Sequence, residues 1–141
     1  MKKSIGYLSI VLCYGALATA QAQTPAASTA FDGTYHFASS TQVNTTYTDR
    51  NGRMGYCPNR KPGPLHIANG LARYTNATGY KLRGTVGPQG QLVLGLVAPS
   101  NANNAGSRFL QLNVNGAVDG SGTARVRQTS NSCSYDFVWQ K

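Results

Sequence analysis

The chain ends in CSYDFVWQK, residues 133–141, and this stretch holds the only tryptophan of the protein. Every second residue belongs to one set, Cys133, Tyr135, Phe137 and Trp139, which holds the large rings. The residues between them are Ser134, Asp136, Val138 and Gln140. Successive side chains of a β-strand point to opposite faces, so the stretch predicts a strand with its bulky residues on one buried face. Burying aromatic rings contributes roughly 25 cal/mol per Å². We therefore expect this strand to close the core.

The first segment of the globular region has the same pattern. FDGTYHF, residues 31–37, places Phe31, Gly33, Tyr35 and Phe37 on one side of a strand. A meander whose first and last strands carry matching aromatic faces can pair them, which removes both sheet edges. The sequence predicts an all-β fold, an antiparallel meander of about eight or nine strands that forms a small barrel or a strongly curled sheet. A two-sheet sandwich is the alternative.

Turn signals separate the predicted strands. Asn69-Gly70 lies between alternating apolar residues, which favours a type I′ hairpin. Segments 82–93 and 114–125 share the frame apolar-x-Gly-x-Val-x-x-x-Gly, which predicts a repeated hairpin whose in-strand glycines mark bends. Tyr80 is expected to point inward with the alternate residues that follow it. Residues 91–97 are apolar on both faces, so we expect this strand to be covered on both sides or to lie at an interface.

The N-terminus predicts export. A positive start, an uncharged apolar run over residues 5–17 and the small residues Ala20-Gln21-Ala22 are typical of a signal peptide, residues 1–22. A retained membrane anchor is the alternative, although the run is short for a bilayer. Residues 23–30 predict a flexible segment and residues 31–141 a single β-domain. No later apolar run is long enough for membrane insertion, so we expect a periplasmic or extracellular protein.

Two cysteines remain after removal of the leader, Cys57 and Cys133. In an oxidising compartment an even pair most simply forms one disulfide. Closing a loop of this length gives roughly 4 kcal/mol of stabilisation as an upper value. Two free thiols or a two-ligand metal site are the alternatives, and the metal site lacks supporting His or carboxylate spacing.

The charge balance favours anionic partners. Without the two lysines of the leader, 11 basic residues face four aspartates and no glutamate, a formal charge of about +7. Lipid head groups, anionic polymers and acidic proteins are the partners that such a charge attracts. The candidate binding site is the basic loop 49–63, because arginine forks match oxyanions. Its candidate residues are Arg50, Arg53, Tyr56, Arg60 and Lys61.

Two other groups of residues could carry a function. A second basic patch is expected on the outer sheet face from Lys81, Arg83, Arg125 and Arg127, and either basic region could instead be solvated surface.

Acid–base chemistry would need Asp32, His36 and Asp136 close together. The sequence has no G-x-S-x-G elbow, no metal-binding His spacing and no phosphate-loop frame. We therefore expect no catalytic residue, metal or cofactor, with a hydrolase as the remaining alternative.

The order of motifs resembles a group of small exported proteins of proteobacteria. They share a leader, Gly-punctuated hairpins and a terminal Cys-x-Tyr-x-aromatic-Val-Trp strand. The resemblance implies a shared architecture and a Cys57–Cys133 bridge, and it transfers no catalytic or binding residue. It rests on the segments FDGTY, GYCP, PLHIANG, RGTVGPQGQL, NGAVDGSGTA and CSYDFVWQK.

Three functions follow as hypotheses from these patterns. The first is a non-enzymatic exported domain that binds an anionic envelope or extracellular partner through loop 49–63. The second is a carrier of a small apolar ligand, held in a barrel pocket lined by Tyr35, Phe37, Phe137 or Trp139. The third, an inhibitor of a wall-degrading hydrolase, rests on fold-level analogy.

Overall fold

The computed structural model describes residues 28–97 and 111–141, and within these ranges it contains ten β-strands and no helix. The predicted signal peptide, most of segment 23–30 and the polar stretch 99–107 lie outside the described residues. The described residues accordingly include no candidate for a membrane-spanning helix. The strands are β1 Gly33–Gln42, β2 Thr46–Thr48, β3 Met54–Tyr56, β4 Leu65–Ala68, β5 Leu71–Thr75, β6 Lys81–Val86, β7 Gln91–Leu96, β8 Leu112–Val118, β9 Thr123–Ser130 and β10 Tyr135–Gln140.

Eight of these strands form a closed antiparallel barrel. Their order is β1-β10-β9-β8-β7-β6-β5-β4, and β4 pairs back with β1. Strands β2 and β3 form a separate two-stranded sheet. The predicted all-β barrel is confirmed, and the alternative sandwich is not adopted.

Strand β10 closes the barrel. It pairs with β9 on one side and with β1 on the other, where Phe37 lies opposite Trp139 and a bulge follows before Ser39. Tyr135, Phe137 and Trp139 are buried, and Trp139 has an exposed fraction of 0%. The ring centroids of Phe137 and Trp139 lie 5.5 Å apart in an edge arrangement. The sequence prediction that the C-terminal rings face inward is confirmed.

Side chains that alternate along every strand fill the barrel. Because a strand sends every second residue to the same face, each barrel strand supplies the interior from one parity, except that the bulge in β1 changes the parity after Phe37. Tyr74 of β5 meets Trp139 edge-on at 5.2 Å between centroids. The largest fully buried side chains are those of Trp139, Tyr35, Phe137, Leu65, Leu82, Leu92, Val114 and Val118.

Two expectations about strand faces were wrong. Tyr80 is 41% exposed, since it belongs to the turn before β6, where its carbonyl oxygen accepts a bond from Asn76 N. Strand β7 is not covered on both sides by the described chain, and Val93 on its outer face is 55% exposed. The reason is topological: a single closed sheet has one interior, so the second face of each strand meets solvent. The alternative expectation, that β7 lies at an interface, stays a prediction.

The predicted hairpins form as expected. Asn69 and Gly70 have φ values of 52° and 73°, which suit a type I′ turn. The repeated frame gives hairpins β6–β7 and β8–β9, each with a left-handed glycine in the turn, Gly90 and Gly122. The carbonyl oxygen of Gly90 accepts a bond from Val118 N at 2.8 Å. This bond joins the turn of the first hairpin to the end of β8.

The in-strand glycines of the repeat allow neighbouring backbones to approach closely. A Cβ atom on Gly84 would lie 1.8 Å from the carbonyl oxygen of Val93. A Cβ atom on Gly116, the equivalent residue of the second hairpin, would lie 2.1 Å from that of Arg125. Both contacts involve backbone, which cannot move aside as a flexible side chain can.

Replacement of Gly84 by alanine tests this close approach. We expect Gly84→Ala to lower the free energy of unfolding by about 1–3 kcal/mol, because overpacking forces backbone shifts. Gly95→Ala is the matched control, since it also lies in a strand but a Cβ there meets no atom within 4 Å. The measurement is guanidinium unfolding. Equal stability of the two variants would contradict the account.

Candidate functional site at the loop end of the barrel

The barrel has two unlike ends. The hairpin turns at 69–70, 87–90 and 119–122 lie at one end, here called the turn end. The connections 43–64, 76–80 and 131–134 lie at the other, the loop end. Antiparallel strands alternate in direction, so this division follows from the strand order. Loops positioned by a rigid scaffold commonly carry function, and the loop end is where they gather.

Residues 43–64, here called the anchored loop, are attached covalently to the start of β10. Cys57 and Cys133 form a disulfide with an S–S distance of 2.09 Å and Cα atoms 5.6 Å apart. The pairing predicted from the two remaining cysteines is confirmed, and free thiols or a two-cysteine metal site are excluded. The bridge is compatible with an oxidising compartment.

Hydrogen bonds hold the anchored loop along its length. The Asn44 side chain donates to Ser132 O at 2.9 Å and accepts from Ser134 N at 2.8 Å. The Tyr135 hydroxyl donates to Pro58 O at 2.9 Å, and Trp139 Nε1 donates to Gly63 O at 3.0 Å. The side chains of Tyr135 and Trp139 therefore have two roles: they fill the core, and they hold the anchored loop in position.

The anchored loop carries the two-stranded hairpin β2–β3. The Asp49 carboxylate accepts bonds from Asn51 N and Arg53 N, both at 2.8 Å, and so organises the turn. Gly55 lies under the Tyr47 ring, where a Cβ would be 2.5 Å from ring carbons. The opposite face of the hairpin is open: Met54 is 70% exposed and Tyr56 is 78% exposed.

A cleft of about 220 Å³ opens between the anchored loop, the turn 76–80 and the barrel mouth. It brings together tyrosines, amides, hydroxyls and the Arg60 guanidinium, and none of the described residues that line it is acidic. This loop-end cleft is our candidate site. Its lining residues are Tyr47, Tyr56, Pro58, Arg60, Asn76, Ala77, Thr78, Tyr80, Leu112, Gln128, Ser130, Ser132, Cys133, Tyr135 and Phe137.

A buried polar pair lies beneath the cleft. The Tyr74 hydroxyl donates to Gln128 Oε1 at 2.6 Å, and both residues are buried. Burial raises the pKa of Tyr74 well above its ordinary value. The hydroxyl therefore remains a donor and keeps the Gln128 amide oriented at the surface of the cleft.

The wall opposite the anchored loop is a turn built on Asn76. Its Oδ1 accepts from Thr78 N at 3.0 Å, Thr78 Oγ1 at 2.9 Å and Tyr80 N at 2.8 Å. An asparagine that bonds to backbone two residues on is a common way to fix a turn. The turn holds Tyr80, which is partly exposed, in the lining of the cleft.

The structure divides the predicted binding residues among three places. Tyr56 and Arg60 line the loop-end cleft. Arg50 lies in the turn of the β2–β3 hairpin and Arg53 lies directly before β3, and both are exposed. Lys61 lies elsewhere, with its ammonium 5.8 Å from the centroid of the Phe37 ring.

Sequence reasoning missed several residues of the cleft. Gln128 shares its parity with Ala124 and Val126, so the alternation of β9 already placed one polar residue inward. Asn76 precedes Thr78 in a short polar turn, which is a recognisable turn signal. Tyr47 gives no comparable signal, because its position depends on packing against Gly55.

The residues of the expected second basic patch do not form one patch, because they lie on two strands that are not neighbours. Lys81 and Arg83 lie on β6, whereas Arg125 and Arg127 lie on β9, with β7 and β8 between them. Arg127 is moreover paired with Asp136, through bonds of 2.7 and 2.8 Å. This pairing lowers the pKa of the Asp136 carboxyl.

The expected acid–base group is not assembled. His36 lies opposite Gln140, whereas Asp136 lies opposite Thr41, five residues along β1 and so about 17 Å away. His66 lies on the outer face of β4, as its alternation predicted, and its Nδ1 contacts Thr34 Oγ1 at 3.1 Å. Over residues 28–97 and 111–141, no three His, Cys, Asp or Glu side chains are grouped to hold a metal ion.

Comparison with known proteins gives no assignment. No protein-family description matches the sequence, and neither the curated proteins nor the solved structures contain a significant match.

Loss of the disulfide tests the anchoring of the loop. We expect Cys57→Ser with Cys133→Ser to lower the free energy of unfolding by about 2–4 kcal/mol, because the bridge closes a long loop. The anchored loop should also become sensitive to limited proteolysis while the barrel strands stay protected. Chemical unfolding and peptide mapping measure the two effects. An unchanged unfolding midpoint would show that the bridge contributes nothing.

Removal of the Tyr74 hydroxyl tests the buried polar pair of Tyr74 and Gln128. Tyr74→Phe leaves the Gln128 carbonyl oxygen without its donor, so we expect a loss of about 1–3 kcal/mol. Tyr80→Phe is the control, since this hydroxyl lies at the exposed rim, and its effect should be within about 0.5 kcal/mol. Thermal unfolding compares the two, and a Tyr74→Phe variant as stable as the wild type would refute the role given to the pair.

Proposed function

We propose that the protein is an exported, non-enzymatic β-domain that binds an acidic polymer of the cell envelope or its surroundings across the loop-end cleft. The observation that carries this proposal is the composition of the cleft: an arginine among tyrosines, amides and hydroxyls, with no carboxylate on the described lining. A guanidinium can bind a carboxylate, sulfate or phosphate through two parallel bonds.

The form of the site favours a chain-like ligand over a compact one. Arg53 is exposed on the β2–β3 hairpin, which also carries the cleft residues Tyr47 and Tyr56. Tyr56 and Tyr80 contribute flat rings to the cleft lining, and Gln128, Ser130 and Ser132 contribute polar groups. A polymer that carries repeated anionic groups could contact both arginines while its uncharged parts lie on the rings.

Preorganisation supports a binding role. The disulfide and the bonds from Asn44, Tyr135 and Trp139 hold the anchored loop before any ligand arrives. A loop that is already ordered loses little conformational entropy on binding. The formal charge of about +7 after leader removal would in addition attract an anionic chain from a distance.

The use of the acidic residues supports a non-enzymatic role. Asp49 and Asp119 accept backbone bonds within their turns, and Asp136 pairs with Arg127. Asp32 lies near the turn end, where its carbonyl oxygen accepts a bond from Lys141 Nζ at 2.6 Å. Each carboxylate of the chain is thus placed away from the loop-end cleft or engaged in local structure.

Export is part of the proposal. The sequence of residues 1–22 has the features of a signal peptide, and the Cys57–Cys133 bridge is compatible with an oxidising compartment. The periplasm and the extracellular medium both provide acidic polymers for such a domain.

The packing of the interior argues against the alternative of an apolar-ligand carrier. Tyr35 and Trp139 are fully buried, and the rings of Tyr135, Phe137, Trp139 and Tyr74 contact one another. Side chains occupy the space that a ligand would need. A barrel of eight strands has just enough room for such filling.

The open face of the β2–β3 hairpin favours a second candidate, inhibition of a wall-degrading hydrolase. Met54 and Tyr56 project from an anchored hairpin, and rigid hairpins with exposed large residues suit insertion into an enzyme cleft. This candidate predicts that Met54→Ala abolishes inhibition, whereas the polymer proposal gives Met54 no role.

A polymer-binding assay tests the proposed function. The wild type should bind a sulfated and a carboxylated polysaccharide but not neutral dextran, with affinity that falls steeply between about 0.01 and 0.15 M ionic strength. Arg53→Ala with Arg60→Ala should weaken binding about tenfold or more, because two charge-assisted contacts are lost. Calorimetry at both ionic strengths measures the change.

Arg125→Ala is the matched control, since it removes an exposed arginine from the wall of β9, outside the cleft. It should bind within about twofold of the wild type. If Arg125→Ala weakens binding as much as the double variant does, net charge rather than the cleft governs binding, and the proposal fails.

A further inference from the structure

A row of basic side chains crosses the outer wall of the barrel. The register places His66 of β4 opposite Arg73 of β5, and Arg73 opposite Arg83 of β6. Directly paired residues lie on the same face of a sheet, and both arginines are exposed. Lys81, two residues before Arg83, points to the same side. We call His66, Arg73 and Arg83 the cationic row.

No acidic residue accompanies the cationic row. The chain has four aspartates, and none of them lies on β4, β5, β6 or on the flanking strands β1 and β7. Within the described ranges, neither Arg73 nor Arg83 takes part in an ion pair. Like charges placed directly opposite each other in a sheet are destabilising. The arrangement therefore carries an electrostatic cost in the absence of an anion.

Elsewhere on the barrel wall, an exposed arginine is paired with a carboxylate of the same chain. Arg127 of β9 lies directly opposite Asp136 of β10, and the two form a bidentate pair. Arg73 occupies an equivalent outward position, yet its partner is a second arginine. The contrast indicates that the two opposed guanidinium groups are arranged for a ligand from outside the chain.

Space for such a ligand exists on both sides of the row. One groove of about 300 Å³ runs toward Lys81, Thr75 and Pro64. A second of about 400 Å³ runs toward Asn69 and Gly84. Both grooves are lined by all three residues of the cationic row. Gly95, which lies opposite Arg83 on β7, has no side chain to cover it.

We propose that the cationic row is an anion-binding site, in which Arg73 and Arg83 clamp one phosphate or sulfate group and Lys81 and His66 flank it. Neighbouring strands lie about 4.8 Å apart, so two guanidinium forks can approach a tetrahedral oxyanion from two sides. The contact of His66 Nδ1 with Thr34 Oγ1 holds the imidazole at the end of the row. The site lies on the barrel wall and does not depend on the loop-end cleft.

The group bound could belong to a small soluble ester or to a lipid head group, and the chemistry at the row is the same. Titration with inorganic phosphate, followed by amide chemical shifts, tests the shared chemistry. Vesicles of anionic phosphatidylglycerol, compared with neutral phosphatidylcholine, distinguish a lipid source. For the wild type, phosphate should shift amides of β4, β5 and β6 more than those of β9.

Single substitutions in the row give the decisive comparison. Arg73→Gln and Arg83→Gln should each lower the phosphate affinity at least about tenfold, and Arg73→Lys should give a smaller loss because it keeps the charge without the fork. Arg125→Gln is the control, since its cross-strand neighbours on β8 and β10 are Ala117 and Val138. It should bind phosphate within about twofold of the wild type.

Each outcome of this experiment decides for or against the site. Binding of phosphate or of anionic vesicles that is lost in Arg73→Gln and Arg83→Gln but kept in Arg125→Gln supports the proposal. Equal losses in all three variants, or no binding of either probe by the wild type, would overturn it. The Arg53→Ala, Arg60→Ala variant should bind phosphate like the wild type, so the cleft and the cationic row can fail separately.

Discussion

The inward packing of the aromatic rings of β10 is the interaction on which the rest of the molecule depends. Tyr135, Phe137 and Trp139 fill one side of the interior, and the backbone that carries them pairs with both β9 and β1. If these rings faced water, the barrel would lose several of its largest buried side chains and two strand edges would be exposed. Closure of the barrel and packing of its core therefore depend on the same strand.

The same strand connects the core to the candidate site. Cys133 precedes β10 and holds the anchored loop through the disulfide, while the polar atoms of Tyr135 and Trp139 bond to backbone of that loop. The position of Gln128 in the cleft lining also depends on β10. Tyr74 packs against Trp139, and its hydroxyl donates the hydrogen bond that orients Gln128. The loop-end cleft is therefore supported by the packed core of the barrel, and a rigid support of this kind favours precise recognition. The cationic row, by contrast, depends only on the register of β4, β5 and β6.

Local alternation was sufficient to predict the barrel, the buried terminal strand and the repeated hairpin, because strand faces and turns are encoded within a few residues. The cleft could be predicted only in part. Tyr56 and Arg60 belong to a basic loop that is visible in the sequence, but the contact of Tyr74 with Gln128 joins residues 54 apart in the chain. The opposition of Arg73 and Arg83 likewise requires the register of two strands. The expected second basic patch joined residues of β6 and β9. The predicted meander already places other strands between these two, so the separation of the patch could have been derived from the sequence.

The central claim is that β10 closes the sheet by pairing with β1, and cross-strand nuclear Overhauser contacts measure this most directly. The account predicts backbone contacts from β10 to both neighbours, with Trp139 close to Phe37 on β1 and Phe137 close to Val126 on β9. Contacts to β9 alone, together with a Trp139 indole that exchanges its proton freely with water, would contradict it.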